Sequence, residues 1–186
     1  EMLRKVTRYL FLFLFVCGCL LGTAKQTEAA TNVVTVAKQN VLTGGALITD
    51  RNGVRYQKSD LTYVKKKWAS VDGKIYRFSD QGYAMTGWFI YGKKRYYADE
   101  NGIVYVKTWL NEGKDRYYLQ KDGSMASGKW IKWDGSYYYL KKDGTMARSC
   151  LISRNGKHYY VSNTGKKLVN AWVTRNGKRY FFGKYG

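Results

Sequence analysis

One kind of side chain recurs at a near-constant interval along most of this 186-residue chain. Tryptophan or, once, leucine stands at every 20th or 21st position, and we call these residues anchors: Trp68, Trp88, Trp109, Trp130, Leu151 and Trp172. The residue directly after each anchor is non-polar, and a tyrosine stands eight residues after each anchor. A fixed short period of this kind is typical of repeat proteins, in which neighbouring units bury each other's apolar faces. The period therefore argues against a globule built around one core.

Each unit has the residue pattern of a β-hairpin. In four units an Asp-Gly or Asn-Gly dipeptide lies between the anchor and its tyrosine, at positions 72–73, 134–135, 155–156 and 176–177. Such dipeptides accept the two positive φ angles of a type I′ turn, the common two-residue hairpin connection. Around Gly92 and Gly113 we expect longer, four-residue loops that keep the same strand pairing.

Strand pairing then assigns the side chains to two faces. A turn at 134–135 pairs Trp130 with Tyr139 and Ile131 with Tyr138, and alternate residues of a strand point to opposite faces. One face carries the residue after each anchor and the tyrosine eight after it, which we assign to the core. The other face carries the anchor and the residue nine after it: Arg77, Tyr97, Tyr118, Tyr139, Tyr160 or Phe181.

The connections between hairpins complete the fold prediction. A second glycine turn follows each hairpin, and the chain contains no proline. An isolated hairpin is marginally stable in water, so neighbouring hairpins must stack. The sequence therefore predicts an all-β fold, a solenoid of stacked β-hairpin repeats of about 20–21 residues each.

The first thirty residues have the features of a signal peptide. Three basic residues precede an apolar run over 9–21, and small residues lie at the third and first positions before a cleavage point after Ala29. An apolar run of about 13 residues is too short to span a bilayer comfortably. Lipidation at Cys19 is an alternative reading, and no later segment is apolar enough for a transmembrane helix. We expect an exported protein.

The remaining chain divides into two parts. Residues 31–47 read as a spacer, and residues 48–186 as the repeat array. Its first unit is degenerate, with Ile48 in the anchor position and Tyr56 eight residues later. The last unit ends at Gly186, which aligns with the turn glycine Gly165 of the previous unit, so we expect it to be truncated.

The residue counts argue against catalysis. The chain has one His, three Cys and 13 acidic residues, so we expect no cofactor, no metal site and no enzymatic activity. Local hydrogen bonding explains the aspartates that lie beside glycines in turns: Asp72, Asp122, Asp134 and Asp143.

The residue pattern also resembles a known family. The units 109–125 and 130–146, each with the alanine that follows it, read W-x-x-x-(x)-G-x-x-(x)-Y-Y-x-x-x-D-G-x-M-A. This pattern resembles the cell-wall-binding repeats of the choline-binding family, with relatives in glucan-binding proteins and large clostridial toxins. The resemblance covers residues 48–186. It implies stacked hairpins with ligand held between them, in a cage of the anchor, a second Trp just before the Tyr pair and a neighbouring Tyr, whose π faces suit a quaternary ammonium.

One position departs from the choline-binding pattern. In place of the second Trp, the six units carry Ile75, Arg95, Arg116, Tyr137, His158 and Arg179. Three units thus place a guanidinium where a ligand cation would lie. Only Trp130, Tyr137 and Tyr160 combine into an aromatic cage by analogy. We therefore expect choline to be disfavoured relative to a glycan or a wall polymer.

Aromatic and basic residues supply the expected binding surface. Flat rings stack on the C–H faces of sugars, which nominates Trp68, Trp88, Trp109, Trp130, Trp172, Tyr97, Tyr118, Tyr137, Tyr139 and Tyr160. The alternative is that the anchors only join one hairpin to the next. At Leu151 we expect the site to be missing or weak.

The charge adds an electrostatic term. Without residues 1–30 the chain has 29 basic and 11 acidic residues, a net charge of +18, which favours anionic teichoic acids of a Gram-positive wall. Export argues against nucleic acid as a partner. We expect a secreted, cell-wall-associated, non-catalytic binding protein. The alternatives are the targeting module of a wall hydrolase whose catalytic domain lies outside this chain, and a host-glycan adhesin.

Overall fold

The structure is a computed structural model that describes residues 32–185. The expected signal peptide and the alternative lipidation at Cys19 lie outside the described residues. Among residues 32–185, no helix has the length and hydrophobicity that crossing a membrane requires.

The described residues form one short helix and seven antiparallel hairpins, which confirms the all-β solenoid prediction. The helix is α1 (Val33–Gln39). The strands, in chain order, are β1 (Ala46–Asp50), β2 (Gly53–Gln57), β3 (Trp68–Val71), β4 (Lys74–Arg77), β5 (Gly87–Tyr91), β6 (Lys94–Ala98), β7 (Thr108–Glu112), β8 (Asp115–Leu119), β9 (Lys129–Trp133), β10 (Ser136–Leu140), β11 (Cys150–Arg154), β12 (Lys157–Val161), β13 (Ala171–Arg175) and β14 (Lys178–Phe182). Each odd-numbered strand pairs with the next strand in the chain.

The predicted register of the hairpins is confirmed. In β9–β10, Trp130 pairs with Tyr139 and Ile131 with Tyr138. The two turn residues have positive φ, 45° at Asp134 and 70° at Gly135. A type I′ turn needs two such residues, and Asp and Gly tolerate this region better than most.

The four-residue loops expected at Gly92 and Gly113 are wrong. Both hairpins close through two residues, because Tyr91 pairs with Lys94 and Glu112 with Asp115. Glycine comes first in each turn and takes a positive φ without strain, 53° at Gly92. The pairing and the faces stay as predicted.

The first hairpin differs from the others in register. Its turn pairs Leu47 with Tyr56 and Ile48 with Arg55, so Ile48 lies one residue nearer the turn than the other anchors do. Ile48 remains on the face opposite Tyr56, but its cross-strand partner is not the residue nine positions later.

The segment 31–47 contains a packed helix that sequence reasoning did not foresee. The side chain of Asn32 caps α1 by accepting a hydrogen bond from the backbone N–H of Val34, at 3.1 Å. Val33 and Ala37 are buried in a cluster with Trp68. The helix thus covers the first tryptophan anchor.

Backbone hydrogen bonds join consecutive hairpins. In each of the last five connections one N–H reaches the carbonyl oxygen of an earlier hairpin, at 2.7–2.8 Å: Ala84 to Val54, Val104 to Ile75, Met125 to Arg95, Met146 to Arg116 and Lys167 to Tyr137. These donors are spaced like the anchors, so each junction is assembled from equivalent positions. Their side chains therefore meet in a repeated arrangement.

The core follows the junctions. Tyr56, Tyr76, Tyr96 and Tyr138 are buried as expected, whereas Tyr117 and Tyr159 are half-buried and Tyr180 of the last hairpin is 47% exposed. The most deeply buried series is one that sequence reasoning did not single out: Ala98, Leu119, Leu140 and Val161, all 0% exposed.

Candidate ligand sites between consecutive hairpins

Each tryptophan anchor with a following hairpin contacts a tyrosine of that hairpin. The ring centroids lie 5.0–5.4 Å apart in four edge-to-face pairs: Trp68–Tyr96, Trp88–Tyr117, Trp109–Tyr138 and Trp130–Tyr159. Aromatic pairs favour this geometry because the positive edge of one ring meets the negative face of the other. The tyrosine assigned to the core by sequence is therefore also the partner of the preceding anchor.

Three anchors also contact a tyrosine of their own hairpin, in the cross-strand position. The pairs are Trp88–Tyr97, Trp109–Tyr118 and Trp130–Tyr139, at 5.1–5.3 Å. The result is three equivalent constellations of one indole and two phenols, which we call the Trp88, Trp109 and Trp130 sites. Each indole is half-buried.

The structure changes one member of the expected aromatic cage. At Trp130 the ring from the next hairpin belongs to Tyr159, while Tyr160 packs against Phe182 at 5.8 Å. The reason is the direction of stacking: the anchor face of one hairpin meets the opposite face of the next. Alternation within a hairpin does not determine this direction.

The expected guanidinium positions are confirmed by the contacts at three anchors. Arg116 Cζ lies 4.3 Å from the Trp109 ring centroid, Arg95 4.6 Å from Trp88 and Arg179 4.8 Å from Trp172. Within residues 32–185, the ion pairs are Arg55–Asp50, Lys58–Asp60 and Lys94–Asp122, so these stacked guanidinium groups have no carboxylate partner. The chain itself places a cation on each of these indoles.

At the Trp130 site the cation is an ammonium. Lys167 Nζ lies 6.0 Å from the Trp130 ring centroid, 5.3 Å from Tyr137 and 5.1 Å from Tyr159. The same Nζ donates a hydrogen bond to the backbone oxygen of Tyr185, at 2.8 Å. Burial lowers the pKa of Lys167.

The residue just before each hairpin turn reaches the preceding anchor's site. Glu112 Oε2 accepts a hydrogen bond from Trp88 Nε1 at 2.9 Å. Trp133 lies 5.6 Å from Tyr118, in the Trp109 site. In the Trp130 site the equivalent contact is a hydrogen bond of 3.1 Å from Arg154 to the Tyr139 hydroxyl.

Sequence reasoning missed these pre-turn residues. Positions 91, 112, 133 and 154 are 21 residues apart and hold Tyr, Glu, Trp and Arg. The constant spacing could have identified these positions, but four different residue types occupy them, so the residue pattern alone does not mark them as equivalent. The pre-turn residue of the Trp109 site, Trp133, has no carboxylate, and Trp109 Nε1 is buried without an acceptor among the described residues.

Two of the nominated tryptophans lie outside these sites. Trp68 is 3% exposed and packs with Phe89, Tyr91 and Tyr96. In this structure its indole serves the core, because α1 and the next hairpin cover it. Trp172 is 60% exposed and contacts only its cross-strand partner Phe181 among the aromatic rings of the described residues.

The junction at Leu151 holds a groove instead of a stacked site. The groove has a volume of about 750 Å³, and its lining includes Leu151, His158, Tyr160, Arg175, Tyr180 and Phe181. Leucine is smaller than tryptophan and carries no ring to stack, so the space beside it stays open. The expected loss of the aromatic stack is therefore accompanied by an open cleft, which sequence reasoning did not anticipate.

Local hydrogen bonds explain two of the four turn aspartates, Asp122 and Asp143, whereas Asp72 and Asp134 take the positive φ of the first turn residue, 51° and 45°. Asp143 accepts from the Thr145 backbone N–H at 2.8 Å, which lowers the pKa of Asp143. Asp122 accepts from Ser124 and from Lys94 Nζ at 3.0 Å. Among residues 32–185 no cluster of three or more His, Cys, Asp and Glu side chains could hold a metal ion.

Family models match three segments of the chain. A model described as a choline-binding repeat matches residues 127–172, and one described as a putative cell wall binding repeat matches residues 86–104 and 107–125. No curated protein matches the chain. The match to a choline-binding repeat weighs against the expectation that choline is disfavoured.

Solved structures of similar proteins carry the same fold. Choline binding protein F from Streptococcus pneumoniae is 30% identical, with a TM-score of 0.62 over 76% of this chain and 46% of that chain. CbpJ from Streptococcus pneumoniae TIGR4 is 30% identical, with a TM-score of 0.63 over 76% of this chain and 47% of that chain. The chain thus spans slightly less than half the length of either. The hairpins within residues 86–104, 107–125 and 127–172 are choline-binding-type cell wall binding repeats, and repeats of this kind form a binding module.

Proposed function

We propose that this array attaches, without catalysis, to a polymer of the bacterial cell wall, a polysaccharide or a teichoic acid, through its inter-hairpin aromatic sites. The observation that carries the proposal is the repetition of one constellation at the Trp88, Trp109 and Trp130 sites. In each, an indole contacts two tyrosine rings at 5.0–5.4 Å. Three sites that share this ring arrangement on one array suit a ligand that is itself a repeating polymer.

The chemistry of these sites fits a sugar chain. Aromatic faces provide flat apolar contact area, and the tyrosine hydroxyls provide hydrogen-bonding groups beside it. Weak single sites suffice, because several sites on one array engaging one polymer raise the overall avidity by orders of magnitude.

The charge distribution adds attraction for an anionic polymer. Residues 31–186 carry a net charge of +18. The guanidinium groups of Arg95 and Arg116 stack on the indoles and keep hydrogen-bond donors free of carboxylate partners among the described residues. Arg is well suited to phosphate oxygens. This contribution weakens as salt screens the charges.

The comparisons support a wall ligand. Choline binding protein F was also solved in the presence of a peptidoglycan analogue, a tetrasaccharide-pentapeptide. Choline substituents on a wall polymer are a second candidate ligand chemistry, because the matched model is described as a choline-binding repeat. The proposal includes export of the protein and association with the wall, which cleavage of the chain after Ala29 would support.

Co-sedimentation with purified Gram-positive cell walls tests the proposal. The variants Trp88→Ala, Trp109→Ala and Trp130→Ala should each weaken wall binding, and the combined variant should weaken it more than the sum of single losses because avidity is lost. Ile90→Ala is the matched control, since it removes an exposed apolar side chain from the Trp88 strand outside the aromatic pairs.

Competitors then identify the ligand. Soluble wall glycan, choline and salt are added separately to wall-bound protein. Release by glycan indicates sugar stacking, release by choline indicates ammonium recognition, and release by salt alone indicates attraction to anionic groups. Unchanged wall binding in the combined variant, with circular dichroism showing intact β structure, would refute the proposal.

A further inference from the structure

We propose that Lys167 is a built-in occupant of the Trp130 site, whose ammonium fills the aromatic box of Trp130, Tyr137 and Tyr159 and excludes an external quaternary ammonium. Lys167 is then the specificity-determining residue of this site. The inference rests on the proposed function in one respect, namely that the Trp130 site faces ligand.

At the Trp130 site the rings of Trp130, Tyr137 and Tyr159 surround a single cation, and among the described residues no other site has three rings around one cation. Lys167 Nζ lies 5.1–6.0 Å from all three ring centroids. The third ring is present because Tyr137 stands where the Trp88 and Trp109 sites have Arg95 and Arg116. A tyrosine there adds a π face and removes the guanidinium, which leaves the cation position to another residue.

The backbone delivers Lys167 to this position. The N–H of Lys167 bonds to Tyr137 O at 2.8 Å, as the N–H groups of Met125 and Met146 bond to the equivalent oxygens at 2.8 Å. The position that lysine occupies in this junction is therefore occupied by methionine in the two preceding junctions. Lysine in place of methionine changes the side chain but keeps the backbone hydrogen bond, so the ammonium is added to a backbone arrangement that repeats along the chain.

No carboxylate of the described residues holds this ammonium. Its polar partner is the backbone oxygen of Tyr185 at 2.8 Å. Two further cations lie at this site: Lys132 Nζ, 5.9 Å from the Tyr137 centroid, and Arg154, which donates to the Tyr139 hydroxyl at 3.1 Å. An ammonium stabilised mainly by π faces and one carbonyl is a direct competitor of a ligand ammonium, which would use the same faces. Because Lys167 is tethered, its effective concentration exceeds that of a dilute ligand.

Choline titration of the purified protein, followed by calorimetry and by tryptophan fluorescence, tests the inference. Lys167→Met reproduces the residue of the two preceding junctions and should bind choline at least about tenfold more tightly than the wild type, the size expected when a desolvated cation–π competitor is removed. Lys167→Gln should gain as well. Lys166→Met, which makes the same charge change at the exposed neighbouring residue, should bind like the wild type.

A double variant shows whether the gain in choline affinity arises at the Trp130 site. Trp130→Ala in the Lys167→Met background should return choline affinity to the wild-type level. Equal affinities of the wild type and both Lys167 variants would overturn the inference, as would an equal gain in Lys166→Met. Loss of β structure in both Lys167 variants would also overturn it, because Lys167 would then serve stability.

The same variants separate this inference from the proposed function. Wall binding by the wild type together with no choline gain in Lys167→Met refutes the role of Lys167 and leaves the wall-binding proposal standing. A choline gain without any wall binding supports the role of Lys167 and refutes the proposed function.

Discussion

Replacing an anchor tests whether it joins one hairpin to the next. Trp109 has two edge-to-face tyrosine partners, at 5.2 and 5.3 Å, and a guanidinium 4.3 Å from its centroid. Trp172 has one tilted partner at 5.2 Å, no ring from a later hairpin among the described residues, and 60% exposure. The two residues occupy equivalent places in their hairpins and differ in the inter-hairpin contact.

The expected losses differ accordingly. Truncating a fully buried Trp to Ala costs about 3–5 kcal/mol. Trp109 is half-buried, but each aromatic pair contributes about 1 kcal/mol and the cation–π contact about 1 kcal/mol beyond burial. We expect Trp109→Ala to lower the free energy of unfolding by about 4 kcal/mol. Trp172→Ala removes one ring contact and the stack of Arg179 on the indole, so we expect it to cost about 2 kcal/mol.

Urea unfolding followed by far-UV circular dichroism measures the two losses. Native-state hydrogen exchange shows where in the chain stability is lost. Trp109→Ala should speed exchange of the Met146 amide, which bonds across the junction to Arg116 O. Equal losses in the two variants would refute the claim that the anchors act between hairpins. Unchanged Met146 exchange in Trp109→Ala would refute it independently.

Three further predictions concern stability. Glu112→Ala should cost about 1 kcal/mol in urea unfolding, because it leaves Trp88 Nε1 without its acceptor. A cost equal to that of Glu100→Ala, an exposed acid whose side chain has no hydrogen bond to the other described residues, would contradict this. Gly102→Ala should cost several-fold more than Gly73→Ala, since both have φ near 75–78° but only the first would press a Cβ against Ala84; equal melting temperatures would contradict this. Hydrogen bonds from Thr145 lower the pKa of Asp143, so its contribution is present above the ordinary carboxyl pKa of 3.8 and is lost as the pH falls through the lower folded pKa; Asp143→Asn should flatten the acid limb of the stability curve, and an unchanged limb would contradict this.

The hairpins could be predicted because their determinants are local. The 134–135 turn residues set the pairing of Trp130 with Tyr139, and strand alternation followed from that register. The turn at Gly92 was mispredicted because a glycine in first place suffices for a two-residue turn, even when Lys93 must take φ of 62°.

The sites could be predicted only in part because they form between hairpins. The nomination of Trp109 with Tyr118 used within-hairpin pairing and is found as a contact. The partnership of Trp130 with Tyr159 depends on the direction in which hairpins stack, which no residue within one hairpin specifies. Helix α1 was missed for a related reason, since its burial of Trp68 is a tertiary contact of a short segment.

Indole NMR signals during titration with solubilised cell-wall fragments test the central claim most directly. Each tryptophan contributes one Nε1–H resonance, so the sites report separately. The proposed function predicts shifts for Trp88, Trp109 and Trp130, and an unchanged signal for Trp68, which is buried in the core. Shifts confined to lysine-rich turns, or a Trp68 shift as large as that of Trp109, would contradict binding at the inter-hairpin aromatic sites.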